Sequence, residues 1–177
     1  EVLQLMNMHD ASLDEAGYLK VIRSKTAKLF EASARLGAIL TNCPQATEES
    51  CATYGRSLGT AFQVIDDVLD YDGNASEMGK NLGDDLREGK ATLPLILAMQ
   101  RGTSEQRLVI HNAIENGATE ELDTIIQIVR DTGALAGARA AAAQEAETAI
   151  AAISDFPTNE HTTALLQLAA NLLGRRH

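Results

Sequence analysis

Residues 58–92 read LGTAFQVIDDVLDYDGNASEMGKNLGDDLREGKAT, and the first half of that stretch decides the fold. At about 100° per residue, Gly59, Gln63, Asp66 and Asp70 share one narrow arc of a helix with Asp67 at its edge, while Ala61, Val64, Ile65 and Val68 fill the opposite arc. One face enters a core. The other presents three carboxylates within about one turn, an arrangement that repels itself unless a cation sits on it. Oxygen donors alone suit a hard octahedral ion, Mg²⁺ or Mn²⁺, which keeps some waters and shares its other positions with substrate phosphate. Lys80 and Lys90 follow, each after a glycine, where a flexible ammonium can reach phosphate oxygens. A carboxylate turn, a glycine-rich loop and spaced lysines together read as a metal-diphosphate site.

Working outward, Asp70, Asp72 and Asn74 begin an EF-hand-like pattern, but Ala75 stands where that loop needs Gly and Asn81 where it needs Glu. Asp84, Asp85 and Glu88 repeat the spacing of the first acidic group between Gly83 and Gly89, and read as an acidic turn that supports the loop. Upstream, Thr47, Glu48 and Glu49 open the long helix after Pro44. Gly55 and Gly59 lie on its Asp66 side, so something approaches the backbone there, either a packed helix or a substrate. Before Pro44, Tyr18, Leu19, Ile22, Leu29, Phe30, Leu36 and Leu40 recur at helical intervals, with Ser12 and Glu15 at capping-box spacing and Lys25-Thr26 in mid-helix. From Thr92 onward the chain reads as successive helices, with Pro94 in a first turn and Gly102, Gly117, Gly133 and Gly174 as C-terminal caps. His111 and His161 read as isolated and solvated. No stretch alternates with period two long enough to make a strand, so the expected fold class is all-α.

The net charge of −10 excludes a nucleic-acid footprint. Cys43 and Cys51 have no histidine at ligand spacing and no second pair, which argues against zinc and against a disulfide framework and fits a reducing cytoplasmic setting. No long apolar run predicts a membrane span or stable membrane insertion. Glu1 to Leu5 enters an apolar-periodic run without a cap, which predicts that the chain is a piece of a longer protein.

The sequence resembles the trans-polyprenyl diphosphate synthases of isoprenoid biosynthesis. FQVIDDVLD at 62–70 resembles that family's second aspartate-rich motif, GKNLGDDLREGKATLPL at 79–95 the segment after it, and SKTAKLF at 24–30 its Lys-Thr motif, in matching order and spacing. The family's first aspartate-rich motif and Gly-Lys-Arg pocket have no counterpart here, so residues 1–177 are expected to be the C-terminal part of one synthase domain with an incomplete active site.

The resemblance implies an isoprenoid-synthase-type bundle of antiparallel helices around a central cavity, a homodimer, and elongation of an allylic diphosphate by isopentenyl diphosphate. The runs EVLQLMN and YGRSLGTAFQVIDD look most like bacterial long-chain members, with an octaprenyl chain as the expected product for a quinone side chain. It further implies that Asp66, Asp67 and Asp70 hold Mg²⁺, that Lys25 and Lys90 stabilise charge with Asp66 during ionisation, that Lys80 holds the departing diphosphate, that Thr26 and Gln63 donate hydrogen bonds near the allylic end, and that Phe62 lines the cavity. The residues also admit a shorter-chain synthase, a non-catalytic subunit of a heteromeric prenyl synthase, and a generic Mg²⁺- or Ca²⁺-binding helical protein, though the last leaves Lys25, Lys80 and Lys90 unexplained.

Overall fold

The acidic stretch lies on one long helix, Gln45–Asp72, and the rest of the molecule packs along it. The structure is a computed structural model that describes residues 1–72, 82–117 and 120–174, and every regular element among them is helical. In chain order these are α1 (Val2–Met6), α2 (Glu15–Ile22), a π-helical turn (Arg23–Ala27), α3 (Lys28–Leu40), α4 (Gln45–Asp72), α5 (Asp84–Arg87), α6 (Leu93–Arg101), α7 (Ser104–Asn116), α8 (Leu122–Asp131), α9 (Ala134–Ala152) and α10 (Glu160–Leu172). The all-α expectation is borne out.

The apolar arc of α4 is where the periodicity puts it, with Ala61, Val64, Ile65 and Val68 at most 1% exposed. Along α4 runs α9, whose buried Ala134, Ala138, Ala142, Ala146 and Ala149 recur about every fourth residue. A row of methyl groups lets two helix axes approach closely. Polar ties hold the register: Arg139 pairs with Asp72 at 2.6 Å, Arg23 with Glu145 at 2.7 Å, and the Tyr54 hydroxyl donates to the Leu165 carbonyl at 2.9 Å.

Packing is the answer to the two glycines of α4. A Cβ on Gly59 would lie 2.7 Å from the Ala27 Cα, and one on Gly55 would lie 2.9 Å from the Glu31 Cα, so α3 and the π turn rest directly on the α4 backbone. The other face of α3 is not covered by any described element. Leu29, Leu36 and Leu40, spaced as core residues, are 72%, 53% and 79% exposed, because α3 turns its Phe30 and Ala38 side, in line with Ala27 of the π turn, onto α4 instead.

Some local expectations shift. The N-cap of α2 is Asp14, whose carboxylate accepts from the Gly17 N–H at 2.8 Å, whereas the Ser12 hydroxyl donates to Asp10 at 2.6 Å. Pro94 does sit in the first turn of α6, and Gly117 ends α7 in the left-handed conformation. Gly133, also left-handed, opens α9 after Thr132 has closed α8. Gly102 closes α6 in an extended conformation. His161 is exposed, but His111 is half-buried, with its Nδ1 3.6 Å from Glu115. Both cysteines are free, and no described helix is long and apolar enough to cross a membrane.

Candidate active site

Lys25 and Thr26 do not lie on an ordinary helix. They fall within the π-helical turn Arg23–Ala27, a wider turn with one extra residue that rotates the following side chains and recurs at functional sites. The turn brings them beside the acidic part of α4. A small cavity of about 50 Å³ is lined there by Tyr18, Lys25, Gln63, Asp67, Asp85 and Lys90, among others, so residues far apart in sequence meet at one place.

A hydrogen-bonded relay forms one wall. The Thr26 hydroxyl donates to Gln63 Oε1 at 2.7 Å, Gln63 Nε2 donates to Asp67 Oδ1 at 2.8 Å, and the Tyr18 hydroxyl donates to Asp67 Oδ2 at 2.6 Å. The single Thr26 hydroxyl proton is thus engaged with Gln63, and what Thr26 offers elsewhere is lone pairs. That differs from the donor role implied by the resemblance. Tyr18 was legible only as one of a row of apolar positions, although it stands two helical turns before Lys25 and so on a similar face.

Asp67 turns inward and is 4% exposed, while Asp66 and Asp70 are half-buried. Asp70 accepts from the backbone N–H groups of Asp84 and Asp85 at 3.2 and 3.1 Å, tying the end of α4 to the start of α5. Among the described residues no three acidic, histidine or cysteine side chains are gathered as one metal claw, and Asp67 and Asp70 each accept hydrogen bonds from within the protein. The donor set still fits a hard cation. Burial and the charge of Asp85 push the Asp67 carboxyl up to about 8, and the same causes push Asp70 up to about 6 against the pull of its backbone N–H partners. Such carboxyls hold a proton more readily than ordinary carboxylates do, and a divalent cation can take the proton's place.

Lys90 is engaged too, with Asp85 and Glu88 each at 2.8 Å. Burial alone would lower its ammonium, but the hydrogen bonds to Asp85 and Glu88 raise it, so it stays charged. Lys25 lies close enough to help hold the Glu88 carboxylate below its ordinary range, after the larger effect of Lys90. The second acidic group therefore splits. Asp84 pairs outward with Arg87 and supports the turn as expected, whereas Asp85 faces the cavity and anchors Lys90. A further unforeseen contact is His9, in a left-handed conformation, whose N–H donates to the Gly89 carbonyl at 2.7 Å and whose ring meets the Ile114 carbonyl at 3.2 Å. Phe62 is half-buried against Phe30, with ring centroids 5.7 Å apart. Lys80 and the basic end at 175–177 lie outside the described residues.

A pH dependence follows from the two raised carboxyls. In the folded state they favour the protonated form, so their contribution to folding is fully present below the ordinary value of 3.8 and is lost as pH rises through about 6 and about 8. Metal-free protein is expected to lose thermal stability between pH 5 and pH 8.5, with a smaller slope in Asp67→Asn. Thermal denaturation followed by circular dichroism checks it; a midpoint that rises across that range in the wild type contradicts it.

The polyprenyl synthetase family profile matches residues 1–131. The chain is 48% identical over 170 residues to octaprenyl diphosphate synthase of Escherichia coli (strain K12), covering 96% of this chain and 53% of that protein. It is 42% identical over 175 residues to the all-trans-nonaprenyl-diphosphate synthase (geranyl-diphosphate specific) of Rhodobacter capsulatus, covering 99% of this chain and 54% of that protein. Its backbone matches the crystal structure of a polyprenyl synthase from Caulobacter crescentus CB15 complexed with calcium and isoprenyl diphosphate, with a TM-score of 0.92 and 42% identity over 99% of this chain and 54% of that one. The chain spans about half the length of the curated relatives it matches.

Proposed function

Because the chain belongs to the polyprenyl synthetase family, we propose that a full-length protein carrying it joins isopentenyl diphosphate to an allylic diphosphate and builds a long all-trans polyprenyl diphosphate, with octaprenyl as the expected product. The observation that carries this reading is the cavity where Lys25, from the π turn, and Lys90, from beyond α5, meet Gln63 and Asp67 of α4. Cations beside carboxylates in one enclosed place suit a metal-bound diphosphate. The identity of 48% to an octaprenyl synthase supports the chain length.

In the reaction the allylic carbon–oxygen bond breaks, the diphosphate leaves with the electron pair, the isopentenyl double bond attacks the carbocation, and a proton passes to the departed diphosphate. Mg²⁺, or Mn²⁺, held by Asp66 and Asp70 with Asp67 behind them, would neutralise diphosphate charge as it develops. Lys25 and Lys90 add fixed positive charge in the same place, and Asp85 keeps Lys90 from swinging into solvent. Glu88, whose carboxylate is 59% exposed, is the partner of Lys90 that a diphosphate can displace most easily. Lys80 is proposed to hold the departing diphosphate. Phe62 and Phe30 supply apolar surface for the prenyl chain. Homodimer formation and a cytoplasmic setting complete the reading, the first tested by light scattering of the full-length protein.

The enzymatic test uses labelled isopentenyl diphosphate with farnesyl diphosphate. A full-length protein is expected to give Mg²⁺-dependent long-chain product, and residues 1–177 alone almost none. Absence of any elongation by the full-length protein, or full activity in residues 1–177 alone, overturns this reading or its account of the incomplete site.

A further inference from the structure

Tyr18 is 3% exposed, and its hydroxyl donates to one partner, Asp67 Oδ2. From there the relay runs through Gln63 to Thr26, which lies in the π turn directly after Lys25. We infer that Tyr18 is a positioning residue for prenyl transfer, acting through Asp67 and Gln63 to hold the π turn, and with it Lys25 and Thr26, in register with the acidic face of α4.

The chemistry of the four groups makes the relay directional. Gln63 has one carbonyl and one amide nitrogen at its tip; with its nitrogen drawn to Asp67, the carbonyl faces Thr26 and takes the hydroxyl proton. Rotating the Gln63 amide would bring its oxygen against a carboxylate oxygen. Tyr18 holds Asp67 in the orientation that imposes this choice, and without its proton the buried carboxylate loses a partner and is free to turn. The π turn needs such a clamp. Wide turns of this kind are rare and short, and this one has Thr26 tied to α4 on one side and Arg23 tied to Glu145 of α9 on another. Buried hydrogen-bonded networks that are fully satisfied rigidify the groups they join and specify one arrangement of them.

This role rests on the proposed prenyl-transfer activity, and the experiment separates the two. In a full-length protein carrying residues 1–177, Tyr18→Phe keeps the ring and removes only the hydroxyl, and Thr26→Val removes the other end of the relay. Each is expected to lower kcat at least tenfold with less than a threefold change in KM for the allylic diphosphate, while the circular dichroism spectrum matches wild type and the protein stays fully folded at the assay temperature. Because both variants break the same relay, the double variant is expected to lose no more than twofold beyond either single one. Arg56→Ala, an exposed change on α4 away from the relay, serves as the control and should be silent. A kcat for Tyr18→Phe within twofold of wild type, losses that multiply in the double variant, or a Tyr18→Phe protein that fails to fold would each overturn the positioning role. In the last case the hydroxyl is structural, and Thr26→Val alone, if it retains wild-type kcat, overturns the relay as well. A wild type that makes no polyprenyl product overturns the proposed function and this role together, whereas product from the wild type with an indifferent Tyr18 overturns only the latter.

Discussion

Asp66→Ala in a full-length protein is expected to lower kcat by on the order of 10² to 10³, equivalent to roughly 3 to 4 kcal/mol of lost transition-state stabilisation by analogy with removal of an oxyanion donor. Asp66 is half-buried on α4, one residue before Asp67 turns into the protein, and shares its arc of the helix with Gln63 and Asp70. Lys90→Ala should fall in the same direction, since it removes positive charge from the same cavity. The neighbouring acidic group provides graded controls. Asp84→Ala breaks only an exposed pair with Arg87, worth about 0 to 1 kcal/mol, and should leave turnover near wild type. Asp85→Asn releases one of the two partners that hold Lys90 and should fall between the extremes. Steady-state kinetics on the four variants decides it: an Asp84→Ala enzyme more impaired than Asp66→Ala would move the metal site to the loop. Because the losses are in the transition state, kcat should drop at least as much as affinity for the allylic substrate.

The sequence places Asp66 above the second acidic group, but the difference between Asp85 and Asp84 could not be read from it, nor which way Asp67 turns. Helical periodicity finds which arc of α4 is apolar, since Val64, Ile65 and Val68 share it, but it leaves Asp67 at the arc's edge and says nothing of which way its carboxylate turns. Burial settles that only once Tyr18 arrives from α2. The two members of the second group separate for a similar reason. Gly83 and Gly89, both left-handed at φ 75° and 71°, turn one short helical turn so that Asp84 faces Arg87 and Asp85 faces Lys90.

Other features were legible for plain physical reasons. Pro94 marks a helix start because the ring fits a first turn and little else in a helix, and Pro44 marks the break before α4, where its carbonyl accepts from the Thr47 and Glu48 N–H groups at 2.9 and 3.1 Å. The π turn was not legible. Arg23, Ser24, Lys25 and Thr26 are polar, so they carry no apolar phase whose slip could reveal an inserted residue. Nor was the left-handed His9, whose conformation is fixed by contacts with Gly89 and Ile114, each remote in sequence. The exposed row on α3 shows the converse limit: periodicity at Leu29, Leu36 and Leu40 gives amphipathic phase without naming what covers it.

One substitution made at two glycines should have opposite effects on stability, and the difference tests how α3 is seated on α4. Gly37→Ala places a methyl on the open side of α3, where nothing stands within 4 Å, so only helix propensity acts and the protein should gain up to about 0.8 to 1 kcal/mol. Gly55→Ala has the same propensity gain, yet its Cβ meets the backbone of Phe30 and lies 2.9 Å from the Glu31 Cα. Backbone cannot rotate away as a side-chain tip can, so α3 must lift. Overpacking of this kind costs about 1 to 3 kcal/mol or more, and with main-chain atoms as the obstacle the upper part of that range applies, leaving a net loss of about 2 kcal/mol. For a chain of this size that is a fall of about 4 to 8 °C in Tm, against a rise of about 2 to 4 °C for Gly37→Ala. Gly59→Ala carries the strain to the site, because its Cβ would lie 2.7 Å from the Ala27 Cα, the last residue of the π turn that bears Lys25 and Thr26. Displacing that turn stretches the 2.7 Å bond between Thr26 and Gln63, so Gly59→Ala should lose activity even at temperatures where it is fully folded, as Gly55→Ala does to a lesser degree. Thermal midpoints and kcat measured on the three variants separate the effects: a Gly55→Ala protein as stable as Gly37→Ala would mean that α3 does not rest on the α4 backbone, and a fully active Gly59→Ala would mean that the position of the π turn does not matter to turnover.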